Sequence, residues 1–304
     1  MRVLFYVSEI KDRESDIAQA MAKGVRDVGD EFDTCYTANY EGVDPSVDVA
    51  CVYALKGKRI FDEYRASGKR ALMFDKPLTR ASAGLGSPAG CHRVTLDEYM
   101  PLSRIVRRMG EPLDPSRWLA LNMHVRPRVK TNSDSVVIYC GSSQKYYDYH
   151  GLGNEHAYAE KVIAEIKRHT GRPIFYRPKP SFAEATEIPG SVFSRPRGYK
   201  DVVAMPSLGP LLYRAHSLVT HGSHAGIDAI VGGVPAIILG PGAAYPVASH
   251  SIDCLGKAEE LYYPDRQTVL KWLSALCFWQ WTHAEMASGE MWRFLRNEME
   301  IPAC

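Results

Sequence analysis

The segment 216–240 constrains the fold more than any other part of this chain, because short apolar runs alternate in it with turns of small residues. Residues 217–220 form an apolar run that is too short for a helix and predicts a buried strand. A turn at 221–223 follows, then a short helix over 225–231 and a second apolar strand over 234–239. This order predicts a parallel strand–helix–strand unit.

The turn at 221–223 is a candidate phosphate site. Small residues before a helix leave backbone N–H groups and the positive end of the helix dipole available to an anion. Asp228 lies about one helical turn further on, where it could accept a hydrogen bond from a ribose hydroxyl. The alternative is an ordinary crossover, in which the glycines serve only close packing.

Strands and helices alternate along the whole chain, which predicts an α/β fold with mostly parallel sheets. The first series has strands at 2–7, 32–36, 47–53 and 70–74, helices at 14–28, 58–66 and 101–109, and a loop at 81–90. The second has strands at 135–140 and 173–176, helices at 154–169 and 211–215, an irregular stretch at 181–207, then the segment 216–240 and helices at 268–281 and 285–299.

Two such series predict two Rossmann-like domains facing across a cleft. A length of 304 residues suits two domains of ordinary size. We expect an N-terminal domain over 1–130, a second Rossmann-like domain over 131–282 and a C-terminal helix within 283–304. A hinge is expected near 126–132.

Composition excludes several classes of protein. With 45% hydrophobic and 24% charged residues the chain can bury sizeable cores. Because it has no apolar run of ~18 residues, we expect no membrane span. We also expect a cytoplasmic monomer with no membrane partner. The seven cysteines are dispersed without a Cys-x-x-Cys pair, which favours free thiols in a reducing compartment. A net charge of only +2 does not by itself predict nucleic-acid binding.

Ligands of doubly wound sheets bind beyond the carboxyl ends of the strands, and this rule selects the candidate residues. In the first domain it selects Glu9 and Asp75 as candidate catalytic bases, beside Ser8 and Lys76. Surface pairing of Glu9 and turn capping by Asp75 are the alternatives. In the second domain the candidate ligands of the nucleotide-sugar are Ser142, Ser143, Lys145, Arg177, Lys179, His221, Gly222, Ser223, His224, Ala225 and Asp228.

These ligand candidates supply complementary chemistry. The lysines and Arg177 provide the cations that a diphosphate requires, and the histidines could hydrogen-bond a phosphate or a sugar. A solvated basic loop is the alternative for the cations. No His-x-x-x-His or clear Asp-x-Asp pattern occurs, so we expect no metal site and no tightly bound cofactor.

The residues 220–229, Thr-His-Gly-Ser-His-Ala-Gly-Ile-Asp-Ala, followed by Gly-Val-Pro-Ala-Ile at 233–237, resemble the donor-binding segment of GT-B glycosyltransferases. The resemblance is strongest to the capsular-polysaccharide and Kdo-transferase-like branch. It implies a nucleotide-sugar co-substrate, with a UDP-sugar as the first candidate, bound by the domain over 131–282, and an acceptor bound by the domain over 1–130. It also implies that the C-terminal helix over 283–304 crosses back to the first domain. That branch usually has Glu where this chain has Asp228, which is one methylene shorter but still a carboxylate acceptor.

Residues 140–153, 278–282 and 288–293 resemble phage-encoded glycosyltransferases that modify hydroxymethylated pyrimidines in DNA. This resemblance implies a double-stranded DNA acceptor, for which two basic clusters are candidates. The first contains Arg104, Arg107, Arg108, Arg117, Arg126, Arg128 and Lys130, and the second contains Arg195, Arg197 and Lys200. The alternatives are a surface-polysaccharide acceptor, or a nucleotide- or DNA-binding module without transfer activity.

Overall fold

A computed structural model describes residues 1–8, 12–79, 91–121, 123–179, 182, 185–194, 208–257 and 261–300. Among these, residues 1–78, 91–105 and 275–300 form a first compact unit, and residues 106–274 form a second. None of the helices in the described part of the chain is long and apolar enough to span a membrane.

The first unit is built on a six-stranded mixed sheet. Its strands are β1 (Arg2–Val7), β2 (Glu31–Tyr36), β3 (Val49–Tyr53), β4 (Arg70–Asp75), β5 (Cys91–Leu96) and β11 (Gln280–Thr282). The spatial order is β11-β5-β4-β3-β1-β2, and the last four of these strands are mutually parallel. All five residues of β3 are buried, as expected for a continuous apolar strand at the centre of a sheet covered on both faces.

Helices cover this sheet. They are α1 (Asp12–Asp27), α2 (Lys58–Ala66), α11 (His283–Ala287) and α12 (Glu290–Glu300), and α3 (Leu102–Met109) begins in the same unit. The C-terminal pair packs on α1: a Cβ on Gly24 would overlap the Met286 carbonyl, and Trp292 Nε1 donates to Asp30 Oδ2 at 2.8 Å. The last helices thus complete the hydrophobic packing of the first unit.

The second unit holds a five-stranded sheet that is parallel throughout. Its strands are β6 (Val136–Cys140), β7 (Ile174–Arg177), β8 (Val192–Phe193), β9 (Ala215–Thr220) and β10 (Ala236–Ile238), in the order β10-β9-β6-β7-β8. Its helices are α4 (Ser116–Ala120), α5 (Gln144–Tyr149), α6 (Glu155–His169), α7 (Leu208–Leu212), α8 (Ala225–Val231), α9 (Cys254–Lys257) and most of α10 (Arg266–Cys277). Val137, Ile163 and Val219 belong to one core cluster between the sheet and α6.

Three predicted elements differ from the structure. The helix expected at 211–215 is α7, which ends at Leu212, and Ala215 already begins β9. The helix expected at 268–281 ends at Cys277, and Gln280–Thr282 pairs antiparallel with β5. The helix expected at 285–299 is two helices, because Gly289 adopts a left-handed conformation with φ 75°.

Strand β5 has no counterpart in the sequence prediction. Its residues Cys-His-Arg-Val-Thr-Leu include three polar side chains, yet all six are buried. The charge of Arg93 is accommodated by Asp75 on the neighbouring strand, with Arg93 Nη2 donating to Oδ2 at 2.9 Å. A buried strand that depends on a partner from another strand cannot be recognised by alternation of apolar and polar residues.

Two stretches lie in another unit than the one the sequence suggests. Residues 106–130 pack with the second unit, where Arg126 N donates to Val231 O at 2.9 Å and Val129 N to Gly233 O at 2.7 Å. Residues 275–282 belong to the first unit. The hinge near 126–132 stays a prediction, and the expected loop at 81–90 and most of 181–207 lie outside the described residues.

Candidate functional site

Four neighbouring strands of the second unit end at the same edge of its sheet. They are β6, β7, β9 and β10. Cys140 pairs with Arg177 on one side and with Thr220 on the other, and Thr220 pairs with Ile238. The turns that follow these strands are therefore neighbours. We call these turns, 141–143, 178–179, 221–224 and 239–242, the carboxyl edge.

Most of the predicted ligand residues lie at this edge. Ser142, Ser143, Lys179, His221, Gly222, Ser223 and His224 are in its turns, Arg177 ends β7, and Ala225 begins α8. Lys145 is exposed on α5, and Asp228 is buried within α8. The structure thus brings together residues that are up to 86 positions apart in the sequence, from Ser142 to Asp228.

The turn before α8 differs from the predicted phosphate cradle. Ser223 N donates to Thr220 Oγ1 at 3.2 Å, and Ala225 N to Ser223 Oγ at 3.4 Å. Gly226 N and Ile227 N donate to the carbonyls of Ser223 and His224 at 3.0 and 2.9 Å. These four amides are used within the turn, and α8 has only seven residues. The cationic side chains must therefore contribute more to any phosphate binding than the sequence suggests.

His221 is a buried, neutral histidine. Its Nδ1 lies 2.7 Å from the hydroxyl of Tyr158, and a Cβ on Gly240 would overlap its Nε2. Burial, together with the charge of His150, lowers the pKa of His221 to about 4. The ring is uncharged at pH 7, so His221 offers a phosphate or a sugar no positive charge.

Gly222 and Gly226 are required by close packing. A Cβ on Gly222 would overlap Tyr146 Oη and lie 2.5 Å from the Pro241 carbonyl oxygen. A Cβ on Gly226 would lie 2.7 Å from Ile238 Cδ1. Gly222 therefore allows the turn after β9 to pack closely against the turn after β10.

Arg177 supplies a half-buried positive charge to the carboxyl edge. Its Nη1 donates to Ser194 Oγ at 3.4 Å, and burial lowers its pKa from the ordinary value. Asp228 carries a nearby negative charge. Burial raises the pKa of the Cys140 thiol to about 12, and Arg177 and Asp228 act on the same thiol with opposite signs. The two charges therefore flank the end of β6.

Sequence inspection overlooks Glu155, the first residue of α6. Asn154 caps this helix by accepting from His156 N at 2.9 Å and Ala157 N at 3.1 Å, so an acidic residue next to it looks like routine dipole compensation. In the structure Glu155 is 0% exposed. Burial raises its pKa to about 7, while the backbone amide and the charge of Lys179 oppose the rise. Only the packing of α6 under the carboxyl edge reveals this group.

The first unit also collects polar side chains where its parallel strands end. Asp75, a predicted base, is held by Arg93, which is itself buried, and stays partly exposed. Ser8 N donates to Glu14 Oε2 at 2.7 Å, and Glu14 forms an ion pair with Lys56. Pairing of Asp75 with Arg93 gives this carboxylate a structural role in addition to the predicted catalytic one. Glu9, the other predicted base, lies outside the described residues.

Two histidines of this unit are also absent from the sequence prediction. His92 and His283 stack with ring centroids 5.0 Å apart, and His92 is 5% exposed. Burial, together with the charges of His283 and Arg13, lowers the pKa of His92 to about 4. No pattern in the sequence could indicate this pair, because it forms only when β11 joins the edge of the sheet beside β5.

A cluster of possible metal ligands lies at the far end of α6. Ligand atoms of Glu165, His169 and Asp253 lie within 4.8 Å of one another. His169 Nε2 is 2.9 Å from Glu165 Oε1 and 3.4 Å from Asp253 Oδ1. The imidazole of His169 therefore lies between the carboxylates of Glu165 and Asp253.

The basic cluster expected to contact DNA is partly internal. Arg104 and Arg117 are buried, and Arg104 forms an ion pair with the buried Glu298. The Arg126 guanidinium lies over the ring of Tyr213 at 4.8 Å, and Arg128 Nη2 donates to Leu261 O at 2.9 Å. The expectation that Arg104 and Arg117 contact phosphates is wrong, because both are enclosed by protein. Arg195, Arg197 and Lys200 lie outside the described residues.

Comparison with solved structures places the fold. The chain is similar to the β-Kdo 2,4-transferase of KpsC from Thermosulfurimonas dismutans, with a TM-score of 0.55, 14% identity, and coverage of 91% of this chain and 90% of the other. It is also similar to the β-Kdo 2,7-transferase of the same KpsC, with a TM-score of 0.50, 10% identity, and coverage of 98% and 100%. No family model and no curated protein matches the chain. At such low identity the likeness shows the fold, and it confirms the predicted α/β class of GT-B type with two parallel-sheet domains.

Proposed function

We propose that this protein transfers a sugar from a nucleotide-sugar to a hydroxyl acceptor. One observation carries the proposal: Arg177 and Lys179 lie at the carboxyl edge of a parallel sheet, the position where open α/β sheets bind nucleotides, and Asp228 lies on α8, the helix that follows β9. The shared fold with two Kdo transferases supports the same activity.

The chemistry assigned to these residues follows from charge. Arg177, Lys179 and the exposed Lys145 stabilise the phosphate that leaves with the nucleotide, because fixed cations offset negative charge as it develops. Asp228 accepts a hydrogen bond from a ribose hydroxyl. Asp75 and Glu9 stay the proposed bases that take the proton from the acceptor.

Calorimetry with UDP and other nucleoside phosphates tests the donor site, and transfer is tested by mass spectrometry with a panel of nucleotide-sugars. Lys179→Met is expected to weaken nucleotide binding about 10- to 150-fold, because a hydrogen bond to a charged group contributes about 1.5–3 kcal/mol. Lys161→Met, an exposed lysine on α6, is the matched control and should bind as the unmodified protein does. A protein that binds none of these nucleotides at millimolar concentration is not the enzyme proposed.

Asp228→Ala is expected to weaken nucleotide binding by about 1.5–3 kcal/mol and to leave binding of any acceptor unchanged. Asp228→Glu restores the carboxylate usual in the resembling family and should retain most of the affinity. Thermal unfolding of both variants separates loss of a ligand contact from loss of the fold. If the proteins with Ala, Glu and Asp at position 228 bind the nucleotide equally well, Asp228 does not bind the ribose.

We propose that the acceptor is a hydroxyl group of a saccharide rather than of DNA. The names of the two similar solved structures describe transferases of the sugar Kdo, which fits the surface-polysaccharide alternative. Burial of Arg104 and Arg117 removes two of the charges on which a DNA acceptor depends. A hydroxymethylated pyrimidine in phage DNA stays the competing hypothesis.

Salt dependence distinguishes the two acceptors. A DNA acceptor requires that log K for duplex DNA fall with log salt, and that Arg126→Gln and Arg128→Gln each reduce the slope by about one. We expect instead weak DNA binding that neither substitution changes, since both guanidinium groups already have partners in the protein. A steep slope that both substitutions flatten would return DNA as the acceptor.

A further inference from the structure

Three buried polar side chains surround Gly141 and the strands beside it. The Ser142 and Tyr176 hydroxyls have no hydrogen-bond partner among the described residues. Neither carboxyl oxygen of Glu155 has a hydrogen bond of ordinary geometry, although the backbone amide of Lys179 is near enough to lower its pKa. Each of the three residues is more than nine-tenths buried. Buried polar atoms are nearly always hydrogen-bonded, so this group marks a place where water or a ligand completes the network.

Glu155 lies between two turns of the carboxyl edge. A Cβ on Gly141 would lie 2.6 Å from Glu155 Oε1 and 3.5 Å from Pro178 Cα, so the carboxyl group fills the space that a side chain at 141 would need. Gly141 N donates to Arg177 O at 3.0 Å, which ties the same two turns together. The carboxyl group therefore contacts the segment that carries Ser142 and the segment that carries Lys179.

We propose that Glu155 is a positioning residue of the donor site, which holds the turns after β6 and β7 for nucleotide binding and takes up a proton when the nucleotide binds. The inference rests on the proposed function, because it concerns the same site. Glu155 is buried beneath the turns and acts through Lys179 and Gly141, so it is not assigned a contact with the reacting atoms.

The groups that face Glu155 determine whether it gains or loses a proton when the nucleotide binds. Lys179, after β7, favours the carboxylate, whereas the hydroxyls of Tyr147 on α5 and Tyr176 on β7 stay neutral because their pKa values are raised. A nucleotide phosphate at Lys179 adds negative charge nearby and offsets that cation. The carboxylate is then less favourable than the neutral acid, so binding and protonation reinforce each other.

The expected pH dependence follows from this coupling. The pKa of Glu155 is about 7 in the unliganded protein and should rise on binding. Below pH 7 the group is already protonated, and above it the nucleotide must bind together with a proton. Affinity for UDP should therefore fall as pH rises from 6 to 9, by up to about tenfold for each unit by which binding raises the pKa.

The experiment is calorimetry of UDP binding at pH 7.5 in buffers of different ionisation enthalpy, with the unmodified protein, Glu155→Gln and Glu160→Gln. Glu160 is an exposed carboxylate on the same helix and serves as the matched control. Proton uptake by the unmodified protein and by Glu160→Gln should exceed that by Glu155→Gln. Titration of the phosphate of UDP is common to all three proteins and cancels in the comparison.

Equal proton uptake in all three proteins would overturn the inference while leaving UDP binding, and so the proposed function, intact. If UDP does not bind at all, the proposed function fails first. In that case an NMR pH titration of the carboxyl ¹³C signal of Glu155 in the unliganded protein tests the inference by itself. A midpoint near the ordinary glutamate pKa of about 4.3 would overturn it. The same signal gives the answer if Glu155→Gln does not fold.

Discussion

Gly222→Val is expected to destabilise the second unit by about 1–3 kcal/mol and to raise the dissociation constant for UDP more than about tenfold. The added side chain would overlap Tyr146 Oη and crowd the Pro241 carbonyl oxygen, which accepts a hydrogen bond from that same hydroxyl at 2.7 Å. Neither neighbour can move away easily, because the carbonyl is backbone and the Tyr146 side chain is buried. The turns after β9 and β10 must separate to make room.

Chemical unfolding and calorimetry measure the two effects. Gly171→Val is the matched control, because no atom lies within 4 Å of a Cβ at that position in the same unit. The control should change neither stability nor UDP affinity appreciably. If Gly222→Val binds UDP normally, the donor is not held by the turn at 221–224.

Arg104→Met is expected to lower the free energy of unfolding by about 3–5 kcal/mol, because it leaves the carboxylate of Glu298 buried without its counter-charge. Arg104 Nη1 donates to Glu298 Oε2 at 3.0 Å and to the Glu298 carbonyl oxygen at 2.8 Å. The side chains are only 5% and 4% exposed, so water cannot replace the lost partner. Methionine keeps the apolar stem and removes the charge.

The double variant Arg104→Met/Glu298→Met tests the cause. It removes both charges and should recover about 0.5–3 kcal/mol relative to the sum of the single changes. Additive losses would show that the ion pair contributes little and that Arg104 acts through packing. A variant of unchanged stability with weakened DNA binding would instead support the DNA-contacting role first expected for Arg104.

Local patterns predict much of the fold correctly. The apolar runs of β1, β6 and β9 and the helix α8 lie within one or two residues of their predicted positions, because a buried parallel strand or a short helix is encoded in its own residues. The rule that ligands bind beyond strand ends then selects Arg177 and Lys179 without further information. The α/β class with two domains follows from the alternation alone.

The same patterns fail where a residue depends on a distant partner. β5 is buried because Asp75 from β4 neutralises Arg93, and β11 exists because Gln280–Thr282 returns to pair with β5. Arg104 looks like one charge in a basic surface stretch until Glu298, 194 positions away, encloses it. Hydrophobic periodicity reports only what each residue does for its own segment.

The sequence by itself determined the class of fold, and it was enough to predict the edge of the sheet that we propose for nucleotide binding and the cations there. Only the tertiary structure decided that the amides of the turn before α8 are already used, that Gly222 serves packing, and that Glu155 is a buried acid beneath the site. The physical reason is that strand and helix formation depend on neighbours along the chain. Burial, hydrogen-bond partners and pKa depend on which segments pack together in space.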